Sequence, residues 1–325
     1  MLAGNATAIA HPNIAFIKYW GNRDEALRLP ANSSLSMNLD GLHTQTKVEF
    51  NASLQNDDLR LNGKAASEEQ LARVTLFLNI VRKMAGIATF ARIESENNFP
   101  SGTGIASSSS AFAALALAAS QAAGLALDEP ALSRLARRGS GSASRSVPGG
   151  FVEWRAADSD EESYAFSFAP TDHWNLVDCI AVISEGHKGI GSSEGHRLAV
   201  SSPLQAARLA GAGGRLEKCR QAILHKDFDA LAEVVELDNH LMHAVMMTSH
   251  PPLVYWQPTS LAVMQAVPEW RAEGIAACYT LDAGPNVHVL CPHAASAAVA
   301  TKLADLSGVL RVLRTSPGGP ARLLD

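Results

Sequence analysis

A glycine- and serine-rich stretch of this sequence runs directly into a helix-forming stretch of alanines. Residues 97–110 are Asn-Asn-Phe-Pro-Ser-Gly-Thr-Gly-Ile-Ala-Ser-Ser-Ser-Ser, and residues 111–119 are Ala-Phe-Ala-Ala-Leu-Ala-Leu-Ala-Ala. Strong helix formers without polar side chains predict a buried helix over about residues 109–123. Glycines before a helix let the backbone approach an anion, and the free N–H groups of the first turn point towards it. The stretch therefore predicts a phosphate-binding loop in front of a buried helix.

The sequence of this loop limits what kind of phosphate site it forms. No Gly-Lys-Ser/Thr follows the glycines, so it is not a Walker A loop. Its serine hydroxyls can hydrogen-bond phosphate or bind magnesium. The alternative is a flexible glycine–serine turn that only caps the helix.

Length and composition predict a globular protein of two packed halves. The 325 residues exceed the size at which one hydrophobic core usually stops growing. Hydrophobic residues make up 47% and charged residues 18%, and no apolar run is long enough to span a bilayer. The first residues lack the features of a signal peptide, so the cytoplasm is the expected location. A net charge of -5 without a Lys/Arg block excludes a nucleic-acid footprint and favours a small ligand.

Hydrophobic periodicity predicts strands and helices in both halves, which is typical of an α+β protein. Residues 44–50 alternate as a half-buried strand does, and apolar residues from Glu68 recur every three or four positions as far as a glycine stop at Gly86. The further predicted elements are strands at 177–183 and 287–290, and helices at about 203–225 and 228–247. We place the division between the halves at residue 172, giving 1–172 and 173–325. The acidic residues 158–162 are expected to form a hairpin tip or loop near it.

A second polar stretch, residues 139–150, combines hydroxyls and small residues with a single arginine. Its sequence is Gly-Ser-Gly-Ser-Ala-Ser-Arg-Ser-Val-Pro-Gly-Gly. The planar fork of Arg145 suits a carboxylate. Ser140 and Ser142, beside the flexible Gly141 backbone, suit phosphate oxygens. The alternative is a solvated loop with an ordinary surface arginine.

Residues 11–23 place polar groups among apolar neighbours, in a predicted strand that runs into a turn. Asn13, Lys18 and Tyr19 there need partners or a ligand. Lys18 and Tyr19 are equally compatible with ordinary side chains at the edge of the core.

Three other features carry less information by themselves. Asp282 precedes a turn and a strand within residues 280–286, a pattern more typical of an Asx-turn than of catalysis. His240 and His243 lie three apart on a predicted helix, but no third ligand stands at a recognisable spacing, so zinc is not expected. The cysteines show no paired spacing and are expected to be reduced core residues. They are Cys179, Cys219, Cys278 and Cys291.

Taken together and in this order, these motifs resemble the diphosphomevalonate decarboxylase family over nearly the whole chain. Two further segments contribute to the resemblance, Asn-Ser-Ser-Leu-Ser at 32–36 and Gly-Gly-Phe-Val-Glu-Trp at 149–154. The resemblance implies the two-lobed α+β fold shared by galactokinase, homoserine kinase, mevalonate kinase and phosphomevalonate kinase. It also implies an active site in the cleft between the lobes, and a homodimer.

The resemblance implies a reaction in which the substrate's tertiary 3-hydroxyl takes the γ-phosphoryl group of MgATP. Loss of phosphate and of CO₂ then leaves an alkene. Asp282 either takes the hydroxyl proton or stabilises positive charge at C3 as phosphate departs. The implied catalytic residues are Asp282, Arg145, Asn13 and Lys18. The implied substrate-binding residues are Tyr19, Ser140, Gly141, Ser142, Arg145, Ser192 and Ser193. The implied nucleotide-binding residues are Asn98, Ser101, Gly102, Gly104, Ser107, Ser108 and Lys188, with Ser107 also binding the magnesium ion that ATP carries.

Two departures from the family pattern make the pocket less positive. The usual Trp-Gly-Lys is Trp-Gly-Asn at residues 20–22, which removes a cation that the resemblance places on the substrate diphosphate. Glu194 stands where bacterial relatives carry arginine. Leaving a diphosphate short of a cation costs discrimination on the order of kcal/mol. We therefore expect (R)-5-phosphomevalonate as substrate and isopentenyl phosphate as product. The diphosphate stays the alternative if other cations or a histidine compensate, namely Arg23, Lys188, His196 or Arg197.

Two other classes of protein share parts of this pattern. A kinase of the same fold that phosphorylates the 3-hydroxyl and stops would have a similar phosphate cradle. A clamp on the carboxylate, Arg145 with Asn13, argues against it. A non-catalytic binding module would be expected to have lost Asp282 or the serines, and all are present.

Overall fold

The computed structural model describes residues 4–99, 105–186 and 191–324. Its strands are β1 Asn5–Ala10, β2 Asn13–Ile17, β3 Asn22–Asp24, β4 Leu29–Pro30, β5 Ser34–Asn38, β6 Thr44–Phe50, β7 Asp58–Leu61, β8 Lys64–Ala65, β9 Ala91–Asn97, β10 Phe151–Trp154, β11 Ala165–Ala169, β12 Leu176–Val182, β13 Cys278–Thr280, β14 Val287–Pro292, β15 Arg311–Thr315 and β16 Arg322–Leu324. Its α-helices are α1 Glu68–Ala85, α2 Ser107–Ala122, α3 Glu129–Gly139, α4 Ser192–Leu198, α5 Gln205–Ala210, α6 Ala212–His225, α7 Phe228–Met247, α8 Pro258–Ala272 and α9 Ser296–Asp305.

The longer strands are arranged in sheets that both halves of the chain supply. A six-stranded sheet has the order β16-β1-β6-β9-β7-β8, and α2 packs on β1 and β6. Two four-stranded sheets have the orders β11-β10-β5-β2 and β13-β14-β12-β15, while β3 and β4 form a two-stranded ribbon. The last strand, β16, pairs with β1, so the chain returns to the sheet in which it began. The division at residue 172 stays a prediction.

Most of the periodicity arguments are confirmed in detail. Strand β6 alternates between buried and exposed side chains along most of its length. Helix α1 begins in a capping box at Ser67 and ends at Gly86, whose φ of 66° is the left-handed conformation that glycine adopts at little cost. Helix α2 is buried along most of its length. The acidic residues 158–162 lie in the hairpin between the paired strands β10 and β11.

One helix prediction is wrong. The stretch predicted as a single helix over about 203–225 is divided into α5 and α6, with Gly211 between them. Glycines at 211, 213 and 214 weaken the helix there, because glycine loses more conformational freedom in a helix than any other residue.

A hydrophobic cluster joins the two halves. It includes Phe16 of β2 and Leu35 of β5 together with Ile180 of β12, Val235 of α7 and Leu290 of β14, all fully buried. The sheet β11-β10-β5-β2 packs on α6 and α7 from the second half. The end of β2 is therefore held at the junction, where polar groups of both halves meet.

The carboxylate of Asp238 is the buried charge that fixes this junction. The backbone N–H of Lys18, just after β2, donates to Asp238 Oδ2 at 2.6 Å, and Arg215 Nε donates to Oδ1 at 2.7 Å. Arg208, itself buried, lies 4.0 Å from the same carboxylate and donates to the Lys18 carbonyl at 2.7 Å. Helices α5, α6 and α7 thereby hold both backbone groups of Lys18.

Among the residues that the structure describes, none of the helices combines the length and the apolar character that crossing a membrane requires.

The Asp238 cluster gives a stability prediction. We expect Asp238→Asn to lower the free energy of unfolding by about 3–5 kcal/mol, because it leaves buried arginines without their counter-charge. Glu273→Gln, which breaks the exposed pair of Lys302 and Glu273, is the control and should cost less than about 1 kcal/mol. Urea denaturation of both variants measures the difference, and equal losses would contradict the buried role of Asp238.

Candidate active site

A cavity of about 690 Å³ lies where the two halves meet. The end of β2, the start of α2, a 3₁₀ turn at Gly141–Ser146, the first turn of α4 and the loop before β14 all border it. Of the residues predicted from the sequence, it is lined by Lys18, Tyr19, Ser107, Ser108, Ser140, Gly141, Ser142, Arg145, Ser192, Ser193 and Asp282. The structure thus brings together residues from five separate segments of the sequence in one cleft.

The ion pair of Lys18 and Asp282 lies at the floor of this cavity. Lys18 Nζ donates to Asp282 Oδ1 at 2.7 Å. The Lys18 side chain is only 1% exposed, whereas the Asp282 side chain is 25% exposed and faces the cavity. Asp282 follows β13, and the N–H of its neighbour Leu281 donates to Asn239 Oδ1 at 2.8 Å, which fixes the loop. The Asx-turn alternative is therefore replaced by a buried ion pair across the two halves.

The charge state of Asp282 follows from its neighbours. Burial raises the pKa of this carboxyl, but the charge and hydrogen bond of Lys18 lower it, and His288 and Arg145 add to that effect. The net result is a pKa below the ordinary value for aspartate, so Asp282 is ionised at neutral pH. Burial lowers the pKa of Lys18, and Asp282 opposes that shift.

Arg145 is a buried cation rather than an ordinary surface arginine. Its Nε and Nη2 donate to Asn13 Oδ1 at 3.2 and 3.1 Å, and its Nη1 donates to Ser34 Oγ at 2.7 Å. Asn13 in turn donates to Ser146 Oγ at 2.8 Å, which fixes the orientation of its amide. The hydrogen bonds among the described residues use three of the five N–H groups of the guanidinium. Two N–H groups are left for a carboxylate in the cavity.

The turn that carries Arg145 packs tightly against Tyr19. A Cβ at Gly141 would lie 2.5 Å from Tyr19 Cε1 and 2.6 Å from its hydroxyl, so only glycine fits there. The Tyr19 hydroxyl donates to Asn22 Oδ1, and the ring stacks on His196 with centroids 4.0 Å apart. Burial raises the pKa of Tyr19, so its phenol stays protonated.

The serines of the phosphate loop and of the turn face each other. Ser108 Oγ lies 3.3 Å from Ser140 Oγ, and Ser109 Oγ lies 3.1 Å from Ser142 Oγ. The N-terminus of α2 and the turn therefore form two sides of one polar corner.

Asn98, one of the predicted nucleotide contacts, is not among the described residues that line the cavity. Asn98 donates from Nδ2 to the Gly41 carbonyl at 2.7 Å and accepts from the His43 N–H at 2.8 Å, so its side chain is bound to the turn before β6. Its contact with a nucleotide stays a prediction. The remaining predicted contacts lie outside the described residues, and they are Ser101, Gly102, Gly104 and Lys188.

Helix α4 supplies another part of the cavity wall. Ser192, Ser193 and Glu194 form its first turn at the cavity. His196 Nδ1 accepts the Gly21 N–H at 3.0 Å, so this ring atom holds the backbone after Trp20. Arg197 lines the cavity with its Nε 3.8 Å from the Glu25 carboxylate.

Two cavity cations were not found from the sequence. Arg28 lies just before β4 and Arg73 lies on α1, and both line the cavity. Arg28 sits in a charged run, and Arg73 is one of several polar residues on an amphipathic helix. Neither pattern distinguishes a ligand-binding arginine from a solvated one.

The histidines of α7 have protein partners in this structure. His240 Nε2 lies 2.8 Å from the Tyr279 hydroxyl, and His243 Nε2 lies 3.4 Å from the Leu281 carbonyl. Burial lowers the pKa of His243 to about 3, and the Lys18 charge acts in the same direction, so this ring is neutral. All four cysteines are buried, as expected.

Comparison with known proteins matches two domain families along the chain. Residues 10–165 match the diphosphomevalonate decarboxylase-like N-terminal domain, and residues 179–312 match the mevalonate 5-diphosphate decarboxylase C-terminal domain. The chain belongs to the diphosphomevalonate decarboxylase family. The resemblance of its motifs and the α+β fold inferred from it are confirmed.

Individual members of the family show how far the likeness extends. The diphosphomevalonate decarboxylase of Candida albicans is 38% identical over 299 residues, which cover 87% of this chain and 83% of that protein. The phosphomevalonate decarboxylase of Haloferax volcanii is 34% identical over 321 residues, which cover 98% of each. A solved structure of MDDEF in complex with MVAPP, AMPPCP and magnesium superposes with a TM-score of 0.94 at 40% identity, and both chains are covered completely.

The contact of Gly141 with Tyr19 gives a prediction for this site. We expect Gly141→Ala to lower the free energy of unfolding by about 1–3 kcal/mol, because the added methyl group overlaps the Tyr19 ring. Gly213→Ala, on the exposed side of α6 with open space around it, is the control and should be stabilising by about 0.5–1 kcal/mol. Thermal or chemical denaturation measures both, and a Gly141→Ala protein of unchanged stability would refute the close packing.

Proposed function

We propose that this protein decarboxylates (R)-5-phosphomevalonate in an ATP-dependent reaction that yields isopentenyl phosphate, ADP, phosphate and CO₂. The single observation that carries the proposal is the placement of a buried arginine clamp, Arg145 with Asn13, beside the Lys18–Asp282 pair in one cavity. Family membership already establishes the coarser statement that the chain is an ATP-dependent decarboxylase acting on a phosphorylated mevalonate.

The Arg145 clamp supports a role in holding the carboxylate that is lost. A guanidinium whose inner N–H groups are fixed by Asn13 and Ser34 presents its outer edge in one orientation. A carboxylate bound there in a bidentate manner has little rotational freedom, and such positioning is a large part of catalysis. A kinase that only phosphorylates the 3-hydroxyl has no later step in which the carboxylate must be held in position to be lost.

The Lys18–Asp282 pair supports an electrostatic role for Asp282. A carboxylate with a pKa below its ordinary value is a weak general base. Held ionised at the cavity wall, it stabilises positive charge that develops at C3 as phosphate leaves, and it can orient the 3-hydroxyl by accepting its hydrogen bond. We therefore assign Asp282 chiefly to charge stabilisation, and Lys18 to keeping it ionised.

The serines at the start of α2, Ser107 and Ser108, form a polar corner that supports ATP binding. Its residues fit the triphosphate of a nucleotide, with N–H groups of the first turn of α2 on the oxygens. Ser107 offers a hydroxyl for a magnesium ion, which proteins usually bind through few side chains and the substrate's own phosphates. Such an ion neutralises charge on the transferred phosphoryl group. The likeness to the structure with AMPPCP and magnesium supports both ligands.

Two residues favour a monophosphate over a diphosphate. Asn22 accepts the Tyr19 hydroxyl and brings no charge to the cavity, and Glu194 adds a carboxylate to its wall. Arg23 does not replace the missing cation, because it pairs with Asp158 and is not among the described residues that line the cavity. A phosphomevalonate decarboxylase, that of Haloferax volcanii, is among the relatives that match this chain along nearly its whole length. The homodimer and the cytoplasmic location stay predictions.

The substrate assignment is tested by supplying purified protein and MgATP with either 5-phosphomevalonate or 5-diphosphomevalonate. We expect CO₂ and ADP in equal amounts, with kcat/KM at least about tenfold higher for the monophosphate, because one ill-matched charged contact costs 1.4 kcal/mol or more. A preference for the diphosphate would refute the substrate, and ADP without CO₂ would establish a kinase. Asp282→Asn is the control for chemistry, since it should abolish CO₂ release yet bind ATP.

The role of Lys18 is tested by the pH dependence of Lys18→Met. Without the ammonium, burial raises the pKa of Asp282 with less opposition, so the carboxylate is protonated at a higher pH. We expect the residual kcat/KM to fall on the acid side at a higher pH than in the wild type. Lys218→Met, which breaks an exposed pair with Glu233, is the control and should leave the profile unchanged. If kcat/KM of Lys18→Met fell on the acid side at the same pH as that of the wild type, Lys18 would not be what keeps Asp282 ionised.

A further inference from the structure

Arg28 is a cavity-lining cation for which the described residues provide no hydrogen-bond or ion-pair partner. Its side chain is half-buried. The other cavity arginines have identified contacts. Arg145 donates to Asn13 and Ser34, Arg73 donates to the Gly139 carbonyl at 2.8 Å, and Arg197 lies beside Glu25. A guanidinium in a partly desolvated cleft is costly without an anion, so Arg28 is the cation that a ligand is best placed to satisfy.

The backbone of Arg28 is held in a conformation that an arginine does not adopt by preference. Its φ is 52°, in the left-handed region that usually costs a non-glycine residue about 1 kcal/mol or more. The turn before it is closed by Asp24 Oδ1, which accepts the Leu27 N–H at 2.7 Å, and it is anchored by Arg137, whose Nε donates to the Leu27 carbonyl at 3.0 Å. Arg137 is fully buried. The surrounding structure therefore imposes the position of Arg28.

Arg28 lines the same cavity as Tyr19 and Gly141. Burial raises the pKa of Tyr19, and among the charges that act on it Arg28 is the largest, ahead of Glu25 and Arg145. Burial also lowers the pKa of Arg73 to about 10, with Arg28 as the next cause. Arg28 and Arg73 both line the cavity, so their like charges repel each other there, and an anion bound between them relieves that repulsion.

The corner of the cavity beside Tyr19 is also where Asn22 contributes no charge. The Tyr19 hydroxyl donates to Asn22 Oδ1, and Tyr19 and Arg28 both line the cavity. A cation that reaches this corner from position 28 makes a cation at position 22 unnecessary for a single phosphate.

We propose that Arg28 binds the 5-phosphate of the substrate and supplies the cation that Asn22 lacks. The inference rests on the proposed function, because it assumes a substrate with a carboxylate on Arg145 and a phosphate beside Tyr19 and Gly141. The planar fork of Arg28 can donate two parallel hydrogen bonds to phosphate oxygens. Arg28 then determines affinity for the phosphate without taking part in the chemistry at C3.

The test compares Arg28→Met and Arg28→Lys with the wild type in steady-state assays of CO₂ release. We expect Arg28→Met to raise KM for 5-phosphomevalonate about 10- to 100-fold, which corresponds to losing a charged hydrogen bond, with kcat and KM for ATP nearly unchanged. The KM of Arg28→Lys for 5-phosphomevalonate should lie between those of the wild type and Arg28→Met, since lysine keeps the charge and lacks the planar guanidinium. The double variant Arg28→Met, Asn22→Lys should recover much of the lost affinity, because it restores a cation to the same corner.

Arg23→Met is the matched control, because Arg23 pairs with Asp158 and does not line the cavity among the described residues. It should leave KM unchanged. A rise in KM for ATP instead of 5-phosphomevalonate would overturn the proposal in favour of a nucleotide phosphate, and an unchanged KM for both would overturn it altogether.

Binding of 5-phosphomevalonate measured by calorimetry in the absence of ATP separates this inference from the proposed function. If the wild type releases no CO₂ from either substrate but Arg28→Met still weakens this binding, the reaction is wrong and the role of Arg28 stands. If the wild type decarboxylates and Arg28→Met binds normally, the reaction stands and the role of Arg28 is refuted. Unfolding curves of the variants check that the fold is retained.

Discussion

The ammonium group of Lys18 is removed from water, and its pairing with Asp282 is the constraint on which the site depends. A buried charge is tolerated only when its partners are fixed. The Lys18 backbone is fixed by Asp238 and Arg208 from the second half of the chain, and its side chain reaches Asp282 on a loop after β13. The pair therefore forms only when both halves are packed together, so the candidate active site depends on that packing.

The cationic side chains around this pair are placed so that the two anionic ends of a substrate would bind at different positions in the cavity. Arg145 lies on the side that can hold a carboxylate, and Arg28 with Arg73 borders the corner that can hold a phosphate. Five cationic side chains and three carboxylates line the cavity among the described residues, although the whole chain carries a net charge of -5. The positive charge is therefore concentrated where an anionic substrate is expected, and its distribution specifies which end of the substrate goes where.

Much of this was predictable from the sequence, and the exceptions have physical causes. Periodicity and a glycine stop specify α1, and the alanine run specifies α2, because these signals are local. Arg145 was recognisable because it is the only cation among small residues. Arg28 was not, since its role arises from a left-handed backbone and a remote anchor, Arg137, that no local pattern shows. The pairing of β16 with β1 is likewise a contact between distant parts of the chain.

The central claim is that one cavity binds the substrate in a single orientation, and a crystal structure with 5-phosphomevalonate and a non-hydrolysable ATP analogue tests it most directly. The account predicts the substrate carboxylate on the outer N–H groups of Arg145, the 3-hydroxyl within hydrogen-bond distance of Asp282, and the phosphate at Arg28. A substrate bound in reverse, with its phosphate on Arg145 and its carboxylate at Arg28, would contradict the account.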